Sequence, residues 1–250
     1  MRWRGVRLHT AMAALGIQVD ERVRFVAAEG ADAPPTEQAE DFEHSLPWND
    51  IRDSALLAFQ MNGEPIPAIH GGPVRLILPG YYGTMNVKWL TKLRFERRES
   101  ANRNHAQRYR TFNDPVPPGS TPEVTMETTT ATWRQKVKSV FLRPLDDARL
   151  PAGQMEFSGV AWNDGRARLD AVEISLDQGA SWQRVRLTPT PSSYAWHRWS
   201  QRVELAVGEY EAWVHVIDAH GNTQPLDGSI HWNPSGYEWN GVDRVRFSVS

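Results

Sequence analysis

His70, Arg75 and Lys88 flank a loop containing Pro79, Gly80, Tyr81, Tyr82, Gly83 and Asn86. A glycine-rich loop presents backbone N–H groups, and an arginine and a lysine beside it add charge-assisted donors. The set suits a phosphorylated or otherwise anionic ligand. The same residue types also decorate a solvated hairpin, and spacing alone leaves both readings standing. A second basic run, from Arg94 to Asn113, sets Arg94, Arg97, Arg98, Arg103, Arg108 and Arg110 against Glu96 and Glu99. A solvated loop or a nucleic-acid patch carries such a run. Asp32, in Gly30-Ala31-Asp32-Ala33-Pro34, has the chemistry of a turn after a strand.

The elements that must position these groups follow from periodicity. Val74, Leu76 and Leu78 alternate with Arg75 and Ile77, and Val87, Trp89 and Leu93 alternate with Lys88, Lys92 and Arg94. The stretch His70–Phe95 therefore reads as strand, loop, strand. Upstream, Leu8, Met12 and Leu15 predict a short helix over 7–15 with Gly16 at its C-cap. Val23, Phe25 and Ala27 predict a strand, and residues 33–49 a surface excursion. Prolines and glycines from Thr111 to Pro122 mark a connector. From Pro151 to Ser250 the pattern has period two throughout. Asn163-Asp164-Gly165, Asp177-Gln178-Gly179 and His220-Gly221-Asn222 punctuate it as turns. About seven short strands in roughly 100 residues argue for an immunoglobulin-like sandwich.

The chain has 250 residues, 40% hydrophobic and 23% charged, which suits one large or two ordinary globular domains. A formal net charge of −2 argues against a general nucleic-acid binder. No run approaches the ~20 apolar residues of a membrane span. The stretch Met1–Gly16 has arginines but no continuous apolar core, so it does not read as a secretory signal. Cysteine is absent, which removes disulfides and thiolate ligands from these residues and leaves the compartment open. Eleven tryptophans and 17 prolines fit β-rich structure with many turns.

The wording of His70–Leu90, HG-x-PVRL-x-x-PG-x-x-G-x-x-x-VKWL, resembles the signature of the sulfite oxidase family of molybdopterin-dependent oxidoreductases. Leu57–Pro67 is similar to that family's lead-in, and Trp3, Gly5, Leu8, Glu29, Gly30 and Asp32 match its opening segments. Gly159-Val160-Ala161-Trp162, Val172–Asp177 with Trp182, and Asp218–Pro225 resemble its C-terminal dimerisation domain. The implied fold class is α+β: part of the molybdopterin-binding fold over 1–122, then an immunoglobulin-like dimerisation domain over 123–250. The resemblance implies a molybdenum cofactor whose pterin N–H groups bond to Asp32. It also implies that His70, Arg75, Asn86, Val87 and Lys88 hold its ring and phosphate. His105–Phe112 is similar, with one residue fewer, to the family's segment across the active-site mouth. Tyr109 is then the candidate catalytic tyrosine, whose hydroxyl would bond an oxyanion.

The implied chemistry is oxygen-atom transfer to a small sulfur oxyanion, sulfite or a sulfane sulfur, with electrons passed to a cytochrome c. The implied assembly is a homodimer, with no nucleic-acid or membrane partner, and a periplasmic home. Two features depart from the family. Animal members carry an arginine where this chain has Ser235; Arg244 is either its substitute or a strand-edge arginine. The family's metal-binding cysteine lies in a motif upstream of the Trp3-Arg4-Gly5 match, so no metal ligand is assigned here. The chain thus reads as the C-terminal two-thirds of such an enzyme. Either its first third is supplied elsewhere, or it is an incomplete pterin-binding and dimerisation chain, or a truncated product without activity.

Overall fold

The computed structural model describes residues 1–34, 36 and 40–250. The chain forms two units: Met1–Asp114 with Pro122–Arg134, and Pro115–Thr121 with Gln135–Ser250. The backbone therefore changes unit at 114/115, 121/122 and 134/135. In chain order the first unit holds β1 (Trp3–Arg7), α1 (Leu8–Ala14), β2 (Phe25–Gly30), β3 (Glu43–Pro47), α2 (Trp48–Ile51) and β4 (Leu56–Met61). There follow β5 (Glu64–Pro65), β6 (Arg75–Ile77), β7 (Leu90–Glu96), α3 (Arg103–Ala106), β8 (Arg110–Phe112) and β9 (Thr129–Ala131).

Helix α1 forms where the spacing predicts, and it buries Leu8 and Met12. It stops at Ala14, however, and Leu15 is 74% exposed beyond it. The predicted strand at 23–27 runs later, as β2, and lies between β3 and β7. Its Val26, Ala27 and Ala28 are wholly buried. The predicted surface excursion over 33–49 is corrected in its second half. Residues 35 and 37–39 lie outside the described residues, but β3 is a strand with Glu43, His44, Ser45 and Leu46 all buried. Cross-strand pairing to β2, from Phe25 opposite Pro47 to Glu29 opposite Glu43, accounts for it. A buried strand of polar residues has no apolar alternation to give it away.

A second sheet has the order β1-β4-β5, with β6 also paired to β4. Leu76, Ile77 and Leu78 are all buried, so the expected one-sided alternation fails there: both faces are covered. The stretch read as a connector from Thr111 begins inside β8, which pairs with β9 through Arg110–Ala131 and Phe112–Thr129. That pairing keeps Pro122–Arg134 in the first unit, beyond the boundary expected at 122.

The second unit holds β10 (Lys138–Arg143), β11 (Ala148–Leu150), β12 (Gly153–Trp162), β13 (Leu169–Ser175), β14 (Gln183–Val185), β15 (His197–Leu205), β16 (Gly208–Asp218) and β17 (Asp243–Val249). They make two sheets, β10-β12-β15 and β11-β17-β16-β13-β14. Phe157 and Trp199 from the first sheet pack with Ile174, Val214 and Phe247 from the second in one core. This is the predicted immunoglobulin-like sandwich. Gly159 is needed inside it, since a Cβ there would lie 2.2 Å from the Trp199 ring and from the Val140 carbonyl oxygen. Arg244, on β17, donates to the Leu226 carbonyl at 2.7 Å and its guanidinium lies 3.9 Å from the Trp213 ring centre.

Candidate functional site

Two cavities open in the first unit. One, of about 440 Å³, is lined by Asp32, Phe42, Arg75, Gly83, Thr84, Asn86, Lys88 and Trp89. The other, of about 240 Å³, has Asp32 and Phe42 in common with it and adds Arg103, Arg108 and Tyr109. Residues from β2's exit, the loop after β6 and the turn before β8 thus meet at a shared wall, Asp32 and Phe42.

The larger cavity is built by the loop between β6 and β7. Arg75 Nη1 donates to the His70 carbonyl and Nη2 to the Asn86 carbonyl, both at 2.8 Å. Its guanidinium also lies 5.1 Å from the Trp3 ring centre. Asn86 accepts from Leu78 N at 2.7 Å and donates to the Tyr82 carbonyl at 2.9 Å, which closes the loop on itself. Lys88 stretches over the Trp89 ring, its Nζ 4.2 Å from the centre and 3.5 Å from the Ile69 carbonyl. The stem of Lys88 passes against Gly71, where a Cβ would lie 2.7 Å from the Lys88 Cβ. Gly71 also has φ +95, so both space and backbone ask for glycine.

The expected binding set is therefore only partly gathered. Asp32, Arg75, Asn86 and Lys88 line one cavity. Asp32 is exposed rather than buried, because it lies in the loop that leaves β2. His70 is exposed, and its carbonyl rather than its ring ties into the loop through Arg75. The Val87 side chain, 1% exposed, packs in the core of the unit, and Val87 contributes a carbonyl that accepts from Leu76 N at 2.9 Å. Arg75 reads as an anion ligand from type and spacing, yet two of its donors are spent on carbonyls of its own loop. Burial pushes its guanidinium below the ordinary range. The residues missed are Phe42, Trp89, Arg103 and Arg108; the basic run pointed to the two arginines, whereas nothing in the pattern marks Phe42.

Tyr109, at φ +53, sits in the left-handed region that a side chain rarely adopts. Behind it the basic run is partly buried, not wholly solvated: His105 is 0% exposed and Arg110 3%. His105 Nε2 lies 2.7 Å from Glu99 Oε1, and its Nδ1 lies 3.3 Å from both Ser45 N and His44 Nδ1. An ionised Glu99 accepts from His105 Nε2–H, which leaves Nδ1 to accept from Ser45 N–H and His44 Nδ1–H. Burial raises the Glu99 carboxyl, but the bonds from His105 and Arg110 outweigh it and hold it below the ordinary range.

Burial, with neighbouring His105 adding to it, pushes His44 down to about 3. An unfolded chain would protonate His44 near its ordinary 6.5, so between these limits the unfolded state holds the extra proton. Stability is expected to fall as pH drops from 6.5 toward 3, by at most about 1.4 kcal/mol per pH unit. Urea midpoints of the first unit measured from pH 7 to pH 4 test this, and a His44→Asn chain should show a shallower fall. Equal slopes in the two chains would remove His44 as the cause.

Among the described residues no helix is long and apolar enough to cross a membrane, and no cluster of three or more His, Asp or Glu is placed to hold a metal ion. Residues 1–104 match the family described as oxidoreductase molybdopterin binding domain, and residues 129–249 the Mo-co oxidoreductase dimerisation domain. Mitochondrial sulfite oxidase of Homo sapiens is 31% identical over 258 residues, covering 100% of this chain and 46% of its own length. Sulfite oxidase of Gallus gallus is 31% identical, covering 94% of this chain and 52% of its own length. The NAD(P)H nitrate reductase of Hordeum vulgare is 29% identical, covering 99% of the chain and 30% of its own. This chain spans about half the length of the sulfite oxidases it matches. The crystal structure of the sulfane dehydrogenase SoxCD from Paracoccus pantotrophus superposes with a TM-score of 0.80 at 26% identity, covering 99% of this chain and 62% of that one.

Proposed function

Because this chain belongs to the sulfite oxidase family, whose cofactor is molybdopterin, we propose that it forms the pterin-holding part of a sulfite or sulfane-sulfur dehydrogenase. The observation that carries the proposal is the pair of cavities with a common wall at Asp32 and Phe42. The residues fit a pterin. Arg75 Nε is buried with no partner among the described residues, in a side chain that lines the same cavity as Lys88 and Asp32. Cations for a phosphate and a carboxylate for ring N–H groups are what that molecule asks for. The residues do not fit the metal, since the chain has no cysteine. A thiolate for molybdenum must come from outside these 250 residues.

When bound, the cofactor supplies oxygen-atom transfer to sulfur. This chain's own residues orient and select. Lys88, Arg75 and Asp32 hold the cofactor, and Arg103 and Arg108, which share the smaller cavity with the carboxylates of Asp32 and Glu40, are the cations there for a sulfur oxyanion. Arg108 is exposed and forms no hydrogen bond or ion pair with another described residue, so its charge is available there. The Tyr109 hydroxyl is the proton-bearing group at that mouth. The electron acceptor in this reading would be a cytochrome c, the second unit would join two copies as a homodimer, and the compartment would be the periplasm.

The lack of cysteine favours one alternative: a pterin-binding and dimerisation chain completed by another polypeptide segment. Molybdenum and pterin content of purified protein decide between them. Pterin with molybdenum and sulfite-dependent cytochrome reduction supports the enzyme, pterin alone the incomplete chain, and neither would sink both. Arg75→Ala removes the tie between His70 and Asn86 as well as a cation. Pterin retained after gel filtration is expected to drop roughly tenfold, the scale of one charged hydrogen bond. Unchanged retention would take Arg75 out of the site.

A further inference from the structure

The left-handed backbone at Tyr109 persists only if its surroundings hold it there. One carboxylate oxygen ties to residues on both sides of Tyr109. Glu99 Oε1 lies 2.7 Å from His105 Nε2, four residues before Tyr109, and 2.7 Å from Arg110 Nη1, the residue after it. Arg110 then donates from Nε to Thr129 Oγ1 at 2.7 Å, from Nη2 to the Thr129 carbonyl at 2.8 Å and from Nη1 to the His105 carbonyl at 3.1 Å. The Tyr109 carbonyl accepts from Thr132 N at 2.8 Å. The His44 ring, bonded to His105, stands edge-on 5.3 Å from the Tyr109 ring. Both ends of the Tyr109 turn and one side of its ring thus lead back to Glu99.

We propose that Glu99 is the positioning residue for Tyr109, acting through His105 and Arg110 and never on the substrate itself. The proposal rests on the reading of Tyr109 as the group at the reacting mouth, and it adds what aims that group. A carboxylate tied to both flanks sets where the hydroxyl points, and small misplacements of such a group cost large factors in rate.

The test reads Tyr109 directly in the chain as it stands. Label the tyrosine Cζ carbons with ¹³C; the chain has six tyrosines, and Tyr109→Phe assigns the signal. In folded Glu99→Ala the Tyr109 signal is expected to shift or broaden while the other five stay. Glu99→Gln, which keeps an acceptor oxygen, is expected to return it toward its native position. Asp50→Asn, which removes a carboxylate from Tyr81 and Arg134 in the same unit, should move the Tyr81 signal and leave that of Tyr109. A Tyr109 signal unmoved in folded Glu99→Ala overturns the proposal. Should that chain fail to fold, His105→Gln keeps the Glu99–Arg110 pair and removes one tie; the same shift supports the proposal and an unmoved signal overturns it. Turnover of the cofactor-loaded enzyme with Tyr109→Phe is a separate matter. If it is unchanged, the reading of Tyr109 falls whether or not Glu99 aims it.

Discussion

A Lys88→Met chain is expected to lose most of its pterin while folding normally. The Lys88 ammonium leans on the Trp89 ring at 4.2 Å and reaches a single carbonyl at 3.5 Å, too long to commit its charge. No carboxylate pairs with it among the described residues, so its charge remains available to a phosphate. A hydrogen bond to a charged group contributes about 1.5–3 kcal/mol. Its loss should weaken pterin binding roughly 10–100-fold. Methionine keeps the stem that packs over Gly71, and Lys88 is only half-buried, so the unfolding midpoint should move little. Pterin released on denaturation, measured by fluorescence against protein concentration, reads the effect. Native occupancy in this variant would mean the anion sits elsewhere.

Trp199→Ala should damage the second unit far more than any surface change. Trp199 is 2% exposed, donates from Nε1 to Ser139 Oγ at 3.0 Å, and meets Phe141 edge-on at 5.5 Å. Its ring also fills the space that Gly159 leaves. Removing it opens a cavity and takes away the donor to Ser139 Oγ, which keeps its own bond to the Val160 carbonyl at 3.2 Å, a loss of about 3–5 kcal/mol. The expected result is a separate, earlier unfolding step for the second unit, with pterin retention by the first unit kept at low temperature. A single native-like transition would show the ring to be dispensable.

How much of this was legible varies with how each segment is covered. Met155–Gly159 alternates because one face of that part of β12 meets the core, and the period survives in the sequence, whereas Gly159, Val160 and Ala161 are buried in succession. Turns such as Asn163-Asp164-Gly165 are equally readable, since Asn163 Oδ1 accepts from Gly165 N and Gly165 takes φ +80. In Glu43-His44-Ser45 the signal is absent. These residues are buried by satisfying one another: Glu43 bonds Arg94 and Ser100, and His44 bonds His105. Partners that far along the chain leave no local period. The site divides in the same way. Arg75 and Lys88 could be marked as anion-ligand candidates from type and spacing and Asn86 from the family resemblance, whereas Phe42 and Glu99 matter only through what the fold brings against them.

The three crossings of the backbone at 114/115, 121/122 and 134/135 bear on how such a gene can be cut. Any single breakpoint between the halves strands a segment with the wrong partner: one placed at 122 deprives β8 of β9. A join after Arg134 keeps the first unit whole but takes 115–121 away from the second, so no single join passes on both modules intact, and the pair is a unit of inheritance more than two detachable pieces.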